Sequence, residues 1–232
     1  MPDEESRQNI TFPSGGGQAH GYLVFPASYN GPGIILIQEW WGLTDHIAGI
    51  ADQLAAEGFV TLAPDLFGGK VAHDKDAAAK LMSELPVDRA AQDLSGAVDF
   101  LLGHKATTSS KIGAVGFCMG GGFVLQLAAR LGDKVAAAVA FYGVGPAVPD
   151  QYSGLTAAVQ GHYGEDDAFY PVQQARQLEE QIRRESGADV SFFYYPAGHA
   201  FHNHEDLLGT HDPQSAALAW QRTVDFLKAH LR

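Results

Sequence analysis

The sequence predicts an α/β protein whose mostly parallel central sheet has helices on both faces. Short apolar runs such as "KIGAVGF" (residues 111–117) alternate with longer stretches that have a helical period. The runs are continuously apolar, as in "IILI" (residues 34–37), which is typical of strands buried on both faces of a sheet. In such a sheet the functional site lies at the carboxyl ends of the strands.

The individual elements follow from local signals along the chain. Asp45 is predicted to cap a helix that continues to about Glu57 and ends at Gly58, because aspartate favours helix starts and glycine favours helix ends. Pro86 divides the next helical stretch in two. The predicted strands lie within residues 19–26, 31–42, 59–64, 111–117, 134–143, 155–164 and 189–196. The predicted helices cover about residues 45–57, 74–84, 87–102, 172–186 and 213–230, and a further helix begins at Cys118 or Met119.

Length and composition favour a single domain over residues 1–232. The chain is 46% hydrophobic and 10% aromatic, which is enough for one sizeable core, and it contains no internal repeat or linker-like change in composition. One uncharged segment, residues 112–129, approaches the length of a membrane-spanning helix. Its five glycines favour a strand, a sharp turn and a helix instead, so no membrane association is predicted.

Charge and cysteine content restrict the partners and the compartment. The formal net charge of −12 and the isoelectric point near 5.1 argue against nucleic acid and against an anionic membrane surface. A single cysteine excludes an internal disulfide and fits a reducing compartment. The segment "MPDEESRQNI" has neither the basic start nor the apolar centre of a signal peptide. We therefore expect a cytoplasmic protein, either a monomer or a small homo-oligomer.

The single cysteine lies at a tight glycine-rich corner, "AVGFCMGGGF". Gly116, Cys118 and Gly120 form a G-x-nucleophile-x-G pattern, in which a sharp turn from strand to helix exposes the nucleophile. The N-terminus of the following helix favours a thiolate, and the N–H of Met119 would point towards a developing oxyanion. A buried structural cysteine in a glycine-rich turn is the alternative. A Walker A loop is excluded because no Gly-Lys-Ser/Thr follows, and a dinucleotide fingerprint is excluded because the glycine spacing does not match.

A base and an acid follow the cysteine in an informative order. Asp166 and Asp167 come just after one buried strand, in "HYGEDDAFYP", and His199 comes just after the next, in "YYPAGHAF". Each residue alone is most often a solvated loop residue. The order nucleophile, acid, histidine, with each at a strand end, is that of the α/β-hydrolase fold. The sequence therefore predicts this fold, without a large cap domain.

The chain resembles the dienelactone hydrolase family, also called carboxymethylenebutenolidases, from about residue 10 to the end. The resemblance rests on the motifs "QEWWG", "PDLFG", "GFCMGG", "GEDDAFYP", "GHAF" and "AWQRTVDFLKAHL". It implies a Cys-His-Asp triad of Cys118, His199 and Asp167, where the family's G-x-x-D-x-x-x-P spacing selects Asp167 over Asp166. It also implies that Glu39 lies beside the nucleophile and helps to deprotonate the thiol. The backbone N–H of Trp40 would be the second oxyanion donor.

One departure from the family pattern concerns the substrate. Dienelactone enzymes of the family hold the substrate carboxylate with arginines, one of them four residues after the catalytic histidine, where this chain has Asn203. No arginine appears between residues 65 and 86, and Arg89 is expected on a solvated helix face. An apolar pocket is the alternative, although core packing is expected for at least half of its candidate aromatics. The candidate substrate-binding residues are Trp41, Phe67, Phe169, Phe201 and Asn203.

We therefore predict a hydrolase that cleaves a small ester or lactone through a thioester, without a cofactor or a metal. A general carboxylesterase for neutral esters is the nearest alternative. A metallohydrolase is suggested by the side chains of "HAFHNHED", but the H-x-x-H-x-H spacing is not that of a common zinc motif. A hydrolase fold that only binds a ligand is disfavoured because such a module needs no nucleophile, base and acid together.

Overall fold

The computed structural model describes residues 7–143, 145 and 147–231. Two compact units can be distinguished, one up to Ile112 and one from Gly113 onwards. Each unit contains both strands and helices. The assignment of the chain to a single domain stays a prediction.

The first unit combines an antiparallel edge with a parallel pair of strands. The strand order is β1-β2-β4-β3, in which the β1–β2 and β2–β4 pairs are antiparallel and the β3–β4 pair is parallel. Every residue of β3 and β4 is buried, as the continuous apolar runs predict. The elements are β1 (Ile10–Ser14), β2 (Gly17–Val24), β3 (Gly33–Ile37), α1 (Asp45–Ala56), β4 (Val60–Pro64), α2 (Lys75–Glu84) and α3 (Val87–Gly103).

The N-cap of one helix in this unit differs from the residue that the sequence predicts. The N-cap of α1 is Thr44, whose hydroxyl accepts a hydrogen bond from the Ile47 N–H at 3.5 Å, so Asp45 is wrongly predicted as the cap. Asp45 instead lies in the first turn, where a carboxylate still favours the helix dipole. Asp74 caps α2 through a 2.8 Å hydrogen bond from the Ala77 N–H.

The second unit is a parallel run of strands with helices between them. The strand order is β5-β6-β7-β8, and the β6–β7 and β7–β8 pairs are parallel. Helix α6 packs on β6 and β7, while α5 packs on β7 and β8. The elements are β5 (Ile112–Phe117), α4 (Met119–Leu131), a 3-10 turn (Gly132–Lys134), β6 (Val135–Phe141), β7 (Ala158–Gly164), α5 (Val172–Ser186), β8 (Val190–Tyr195) and α6 (Pro213–His230).

The parallel strands bring the candidate residues of this unit to one end of its sheet. Cys118 directly follows β5, Asp167 comes three residues after β7, and His199 comes four residues after β8. Among the described residues, no helix has the length and apolar composition needed to cross a membrane.

Candidate active site

Cys118 lies on a strained turn between β5 and α4. Its φ of 52° and ψ of −118° fall in a region that residues with a side chain rarely adopt. The Cys118 N–H donates to the Phe141 carbonyl at 3.0 Å, which holds the turn against the end of β6. The cysteine is 7% exposed, so little of it faces solvent.

The glycines around Cys118 allow the close approach that this turn requires. A Cβ atom at Gly116 would collide with the carbonyl oxygen of Gly120 in α4. A Cβ atom at Gly121 would lie 2.7 Å from the Cα of Gly143, just after β6. The glycines of the motif therefore permit contacts between backbones that no larger residue would allow.

His199 and Asp167 form a buried hydrogen-bonded pair. The Nδ1–H of His199 donates to Asp167 Oδ2 at 2.7 Å, and both side chains are buried. The other carboxylate oxygen, Oδ1, accepts from the backbone N–H groups of Phe169 and Tyr170, each at 2.8 Å. Asp166 is exposed, and its backbone N–H donates to the Ala197 carbonyl at 3.1 Å.

Electrostatics at His199 favour the protonated ring. Burial acts to lower the pKa of His199, but hydrogen bonds to Asp167 and Cys118, together with the charges of these two groups, outweigh it. The pKa of His199 is raised to about 10. Since Nδ1 is bonded to Asp167, the nitrogen that faces Cys118 is Nε2. The second unit thus contains a hydrogen-bonded series that runs Cys118, His199, Asp167.

The N-terminus of α4 lies beside the thiol. Met119 is the first residue of this helix, and the N–H groups of a first helical turn have no acceptor within the helix. These groups favour a negative charge nearby, which is what a tetrahedral oxyanion presents. The position predicted for Met119 is therefore chemically suited to an oxyanion donor.

Two aromatic rings pack against His199. The Tyr142 ring lies 5.1 Å from the imidazole, centroid to centroid, and is completely buried. The Phe169 ring also lies 5.1 Å from the imidazole but is 57% exposed. Phe169 was singled out from the sequence, whereas Tyr142 was not. The signal available for Tyr142 is its place immediately after a buried strand and before a glycine.

The remaining candidates in the second unit lie in the loop after β8. Phe201 is fully buried, with its ring 5.4 Å from that of Tyr142 and 5.0 Å from that of Tyr195, a placement that favours core packing. Asn203 is buried as well, and its Oδ1 accepts from the Glu205 N–H at 2.9 Å. Asn203 therefore orders its own loop.

The same loop bears on the metallohydrolase alternative. The His202 ring packs among Phe117, Phe141 and Trp220, with centroid distances of 5.2, 5.2 and 5.9 Å. Within residues 7–143, 145 and 147–231, no three side chains of His, Cys, Asp or Glu are grouped as metal ligands. In this loop His202 therefore packs against aromatic rings, whereas the sequence motif suggested a set of metal ligands.

The candidates in the first unit follow β3 and β4. Glu39 is almost completely buried, and the rings of Trp40 and Trp41 contact each other at 5.1 Å. The Trp41 carbonyl accepts from the Ala72 N–H at 2.8 Å, which ties this loop to the one after β4. Phe67 is buried in that second loop.

Two residues that the sequence analysis did not single out hold the loop after β4 in place. Asp65 accepts hydrogen bonds from the backbone N–H groups of Phe67 and Gly69 at 2.9 and 2.8 Å. The side-chain oxygen of Gln38 accepts from the Leu66 N–H at 3.2 Å. An aspartate directly after a strand and before a glycine pair is the signal that predicts such a turn.

Solved structures and known sequences place the chain in a family. Its fold is the α/β-hydrolase fold. It matches the crystal structure titled "Putative Dienelactone Hydrolase" from Klebsiella pneumoniae subsp. pneumoniae MGH 78578 with a TM-score of 0.82 and 29% identity, over 97% of both chains. The sequence model of the Dienelactone hydrolase family matches residues 19–231, and the chain belongs to that family.

Relatives of known sequence extend over nearly the whole chain. "Protein usf" of Aquifex pyrophilus is 33% identical over 231 residues, which are 97% of this chain and 99% of that protein. A "Putative carboxymethylenebutenolidase" of Aquifex aeolicus (strain VF5) is 31% identical over 232 residues, with 97% and 99% covered. The chain is therefore a hydrolase, as the sequence predicts.

Proposed function

We propose that the protein hydrolyses a small ester or lactone through a Cys-His-Asp triad and a thioester intermediate. The observation that supports this most directly is the hydrogen-bonded series from Cys118 through His199 to Asp167. A thiol, a base and an orienting carboxylate in this order are the parts that nucleophilic acyl transfer requires. Each stands at the carboxyl end of a different strand.

In the acylation step the sulfur of Cys118 attacks the carbonyl carbon of the substrate. Because the pKa of His199 is about 10, its imidazole carries a proton at neutral pH and stands ready as a general acid. The carbonyl becomes an oxyanion, for which the Met119 N–H is the proposed donor and the Trp40 N–H the second donor implied by the family. His199 Nε2–H gives its proton to the leaving oxygen as the C–O bond breaks, and a thioester remains.

In the deacylation step water attacks the thioester. Neutral His199 takes a proton from the water, the same donors hold the second oxyanion, and the C–S bond breaks to release the acid and the thiolate. The imidazolium that results is the form in which His199 began the cycle. Asp167 keeps Nδ1–H in place throughout, so Nε2 is always the nitrogen that exchanges the proton. For Glu39, the family resemblance predicts that its carboxylate takes the thiol proton when substrate binds and so forms the thiolate that attacks. Return of that proton to the released thiolate closes the cycle.

The relatives and the residues near His199 support a proposal for the substrate class. A relative from Bradyrhizobium sp, 29% identical over 213 residues, is named "Probable 2-oxo-3-(5-oxofuran-2-ylidene)propanoate lactonase". That name describes an unsaturated lactone with a carboxylate, the class we propose here. A neutral ester is the second candidate, because Asn203 replaces the family's arginine and the exposed Phe169 ring offers an apolar contact beside His199.

A comparison of substrates and Cys118 variants tests this proposal. We would measure kcat/KM for cis-dienelactone, trans-dienelactone and p-nitrophenyl acetate on one metal-free preparation. We expect Cys118→Ala to lower kcat/KM by at least about 1000-fold on every substrate that is turned over. A preference for p-nitrophenyl acetate would identify a general esterase with the same triad. Full activity of Cys118→Ala that a chelator abolishes would instead establish metal-dependent hydrolysis.

A further inference from the structure

The end of β6 contacts both partners of the proposed proton exchange. The carbonyl of Phe141 accepts the Cys118 N–H at 3.0 Å, and the ring of the next residue, Tyr142, packs against His199. One dipeptide therefore touches the backbone of the nucleophile and the ring of the base. The first of these contacts is made by backbone atoms, but the second depends on the side chain at position 142.

Tyr142 is held in an unusual backbone conformation. Its φ is 38°, in the left-handed region, although the residue is large and the glycine Gly143 follows it. Its N–H donates to the His162 carbonyl at 2.7 Å, and its side chain has no exposed surface. Such a conformation is strained for a residue with a side chain and persists only where the surroundings require it. In this conformation the ring of Tyr142 lies beside His199.

The geometry of His199 leaves one degree of freedom that a packed ring can fix. The hydrogen bond from Nδ1 to Asp167 fixes one line through the imidazole but not the tilt of the ring about that line. Nε2 lies off this line, so a change of tilt displaces it. The Tyr142 ring meets the imidazole at 59° and 5.1 Å, close to an edge-to-face contact. Tyr142 is itself held by Phe201, whose ring crosses it at 72° and 5.4 Å.

We propose that Tyr142 is a positioning residue whose ring sets the tilt of the His199 imidazole, so that Nε2 faces Cys118 and then the leaving oxygen. The proposal rests on the proposed triad. Tilting the ring would move Nε2 out of line with its partners, and a displacement of about 1 Å can lower a rate about 100-fold. The role is assigned to the aromatic ring, which is the part of Tyr142 that contacts His199.

Two variants of Tyr142 separate this role from simple core packing. We expect Tyr142→Phe to keep kcat within about two-fold of the unmodified protein, because the ring remains. We expect Tyr142→Leu to lower kcat about 10- to 100-fold, with KM changed less than about two-fold. Tyr152→Leu is the matched control, because Tyr152 is equally buried in the same unit, and it should keep both constants. Melting temperatures of all variants show which of them fold.

The outcomes are distinct. Wild-type kcat in a folded Tyr142→Leu protein would overturn the proposal, as would an equal loss in Tyr142→Phe and Tyr142→Leu, which would assign the effect to the hydroxyl. Equal losses of kcat in Tyr142→Leu and Tyr152→Leu would also overturn it in favour of general packing. If Cys118→Ala retained activity, the triad itself would be wrong, which is a different failure.

A measurement on Tyr142→Phe alone keeps the proposal testable if Tyr142→Leu does not fold. With ring-labelled phenylalanine, this variant adds one NMR signal to the spectrum of the unmodified protein, and the ring at position 142 does not titrate itself. We expect that signal to shift with the same midpoint as the His199 resonance when His199 loses its proton. A signal that stays fixed while His199 titrates would show that the ring does not sense the imidazole, and the proposal would fail.

Discussion

The two oxygens of Asp167 have different partners: Oδ2 accepts the His199 Nδ1–H, and Oδ1 accepts the backbone N–H groups of Phe169 and Tyr170. The two backbone hydrogen bonds hold the Asp167 carboxylate in place independently of its hydrogen bond to the imidazole. His199 therefore receives both an orientation and a negative charge from a group that is itself held in place. The turn that supplies these N–H groups also brings the Phe169 ring to His199.

Removing the charge of Asp167 should change both the rate and the pH profile. The active form has a protonated His199, so kcat/KM should fall as pH rises through the pKa of about 10. Asp167→Asn removes an interaction that raises this pKa, so the falling limb should move to lower pH. We also expect kcat/KM to drop about 1000- to 10000-fold near neutral pH.

The measurement needs a suitable substrate and a neighbouring control. An alkyl ester is suitable because its alkoxide leaving group requires a proton, whereas p-nitrophenolate does not. Asp166→Asn removes a charge of the same kind one residue away, from an exposed side chain, and should leave rate and profile unchanged. Equal effects of the two variants would contradict the assignment of Asp167.

Buried histidines should make the folded state sensitive to mild acid. Burial lowers the pKa of His162 well below its ordinary value, with the nearby charges of Arg222 and His202 acting in the same direction. Burial, followed by the charges of His211 and His204, lowers the pKa of His202 to about 4. Below pH 6.5 the unfolded chain binds these protons and the folded chain does not, so stability is lost as pH falls.

The magnitude and the sign of this pH effect on the free energy of unfolding can both be measured. Each of the two histidines should lower the free energy of unfolding by up to about 2 kcal/mol between pH 6.5 and 5. His199 acts in the opposite range, because its raised pKa gives stability that is complete below pH 6.5 and is lost towards pH 10. Urea unfolding from pH 5 to 10 should thus show a maximum near pH 6.5 to 7. His162→Gln should flatten the acid side; an unchanged acid slope would show that His162 does not cause it.

Most elements of the fold could be predicted because their signals are local. The helices α5 and α6 have the predicted bounds, since their apolar period and their flanking prolines mark them in the sequence. Strand β1 was missed. It is five residues long and contains Pro13, which argues against a strand unless the strand lies at an edge, and β1 stands at one end of the strand order.

The residues of the candidate site likewise divide into those that the sequence predicts and those that it does not. Cys118, Asp167 and His199 could be chosen from the order and spacing of motifs after apolar runs. Tyr142 could not, because in the sequence it continues the apolar run of β6, and neither its positive φ nor the contact of its ring with His199 can be read from that pattern. The sequence predicts Asp45 as the N-cap of α1, whereas the N-cap is Thr44; both residue types favour that position, so the sequence alone does not separate them.

Two glycine-to-alanine substitutions should have opposite effects on stability, one where β5 and α4 approach closely and one in the open middle of α1. Gly116→Ala should destabilise the protein by several kcal/mol or prevent folding, because its Cβ would collide with the Gly120 carbonyl. Gly49→Ala, in the middle of α1 with nothing within 4 Å of the added atom, should stabilise it by about 0.5 to 1 kcal/mol. Denaturant unfolding measures the change in stability for both variants. A Gly116→Ala protein as stable as the unmodified one would contradict the close approach of β5 and α4 at the Cys118 turn.

Phe169 should affect substrate choice without affecting stability. Its ring is 57% exposed yet contacts His199, so Phe169→Ala removes little buried surface while it removes an apolar wall beside the base. Burial of such a ring against a substrate contributes about 1.5 kcal/mol, which corresponds to about a ten-fold change in KM. We expect that increase for p-nitrophenyl butyrate and a smaller one for p-nitrophenyl acetate, whose acyl group offers less apolar surface. Leu218→Ala, at an apolar residue on α6 that is 47% exposed, is the control and should change neither KM. If Phe169→Ala raised both KM values equally or lowered the melting temperature markedly, the ring would act on the loop that holds Asp167 and not on the substrate.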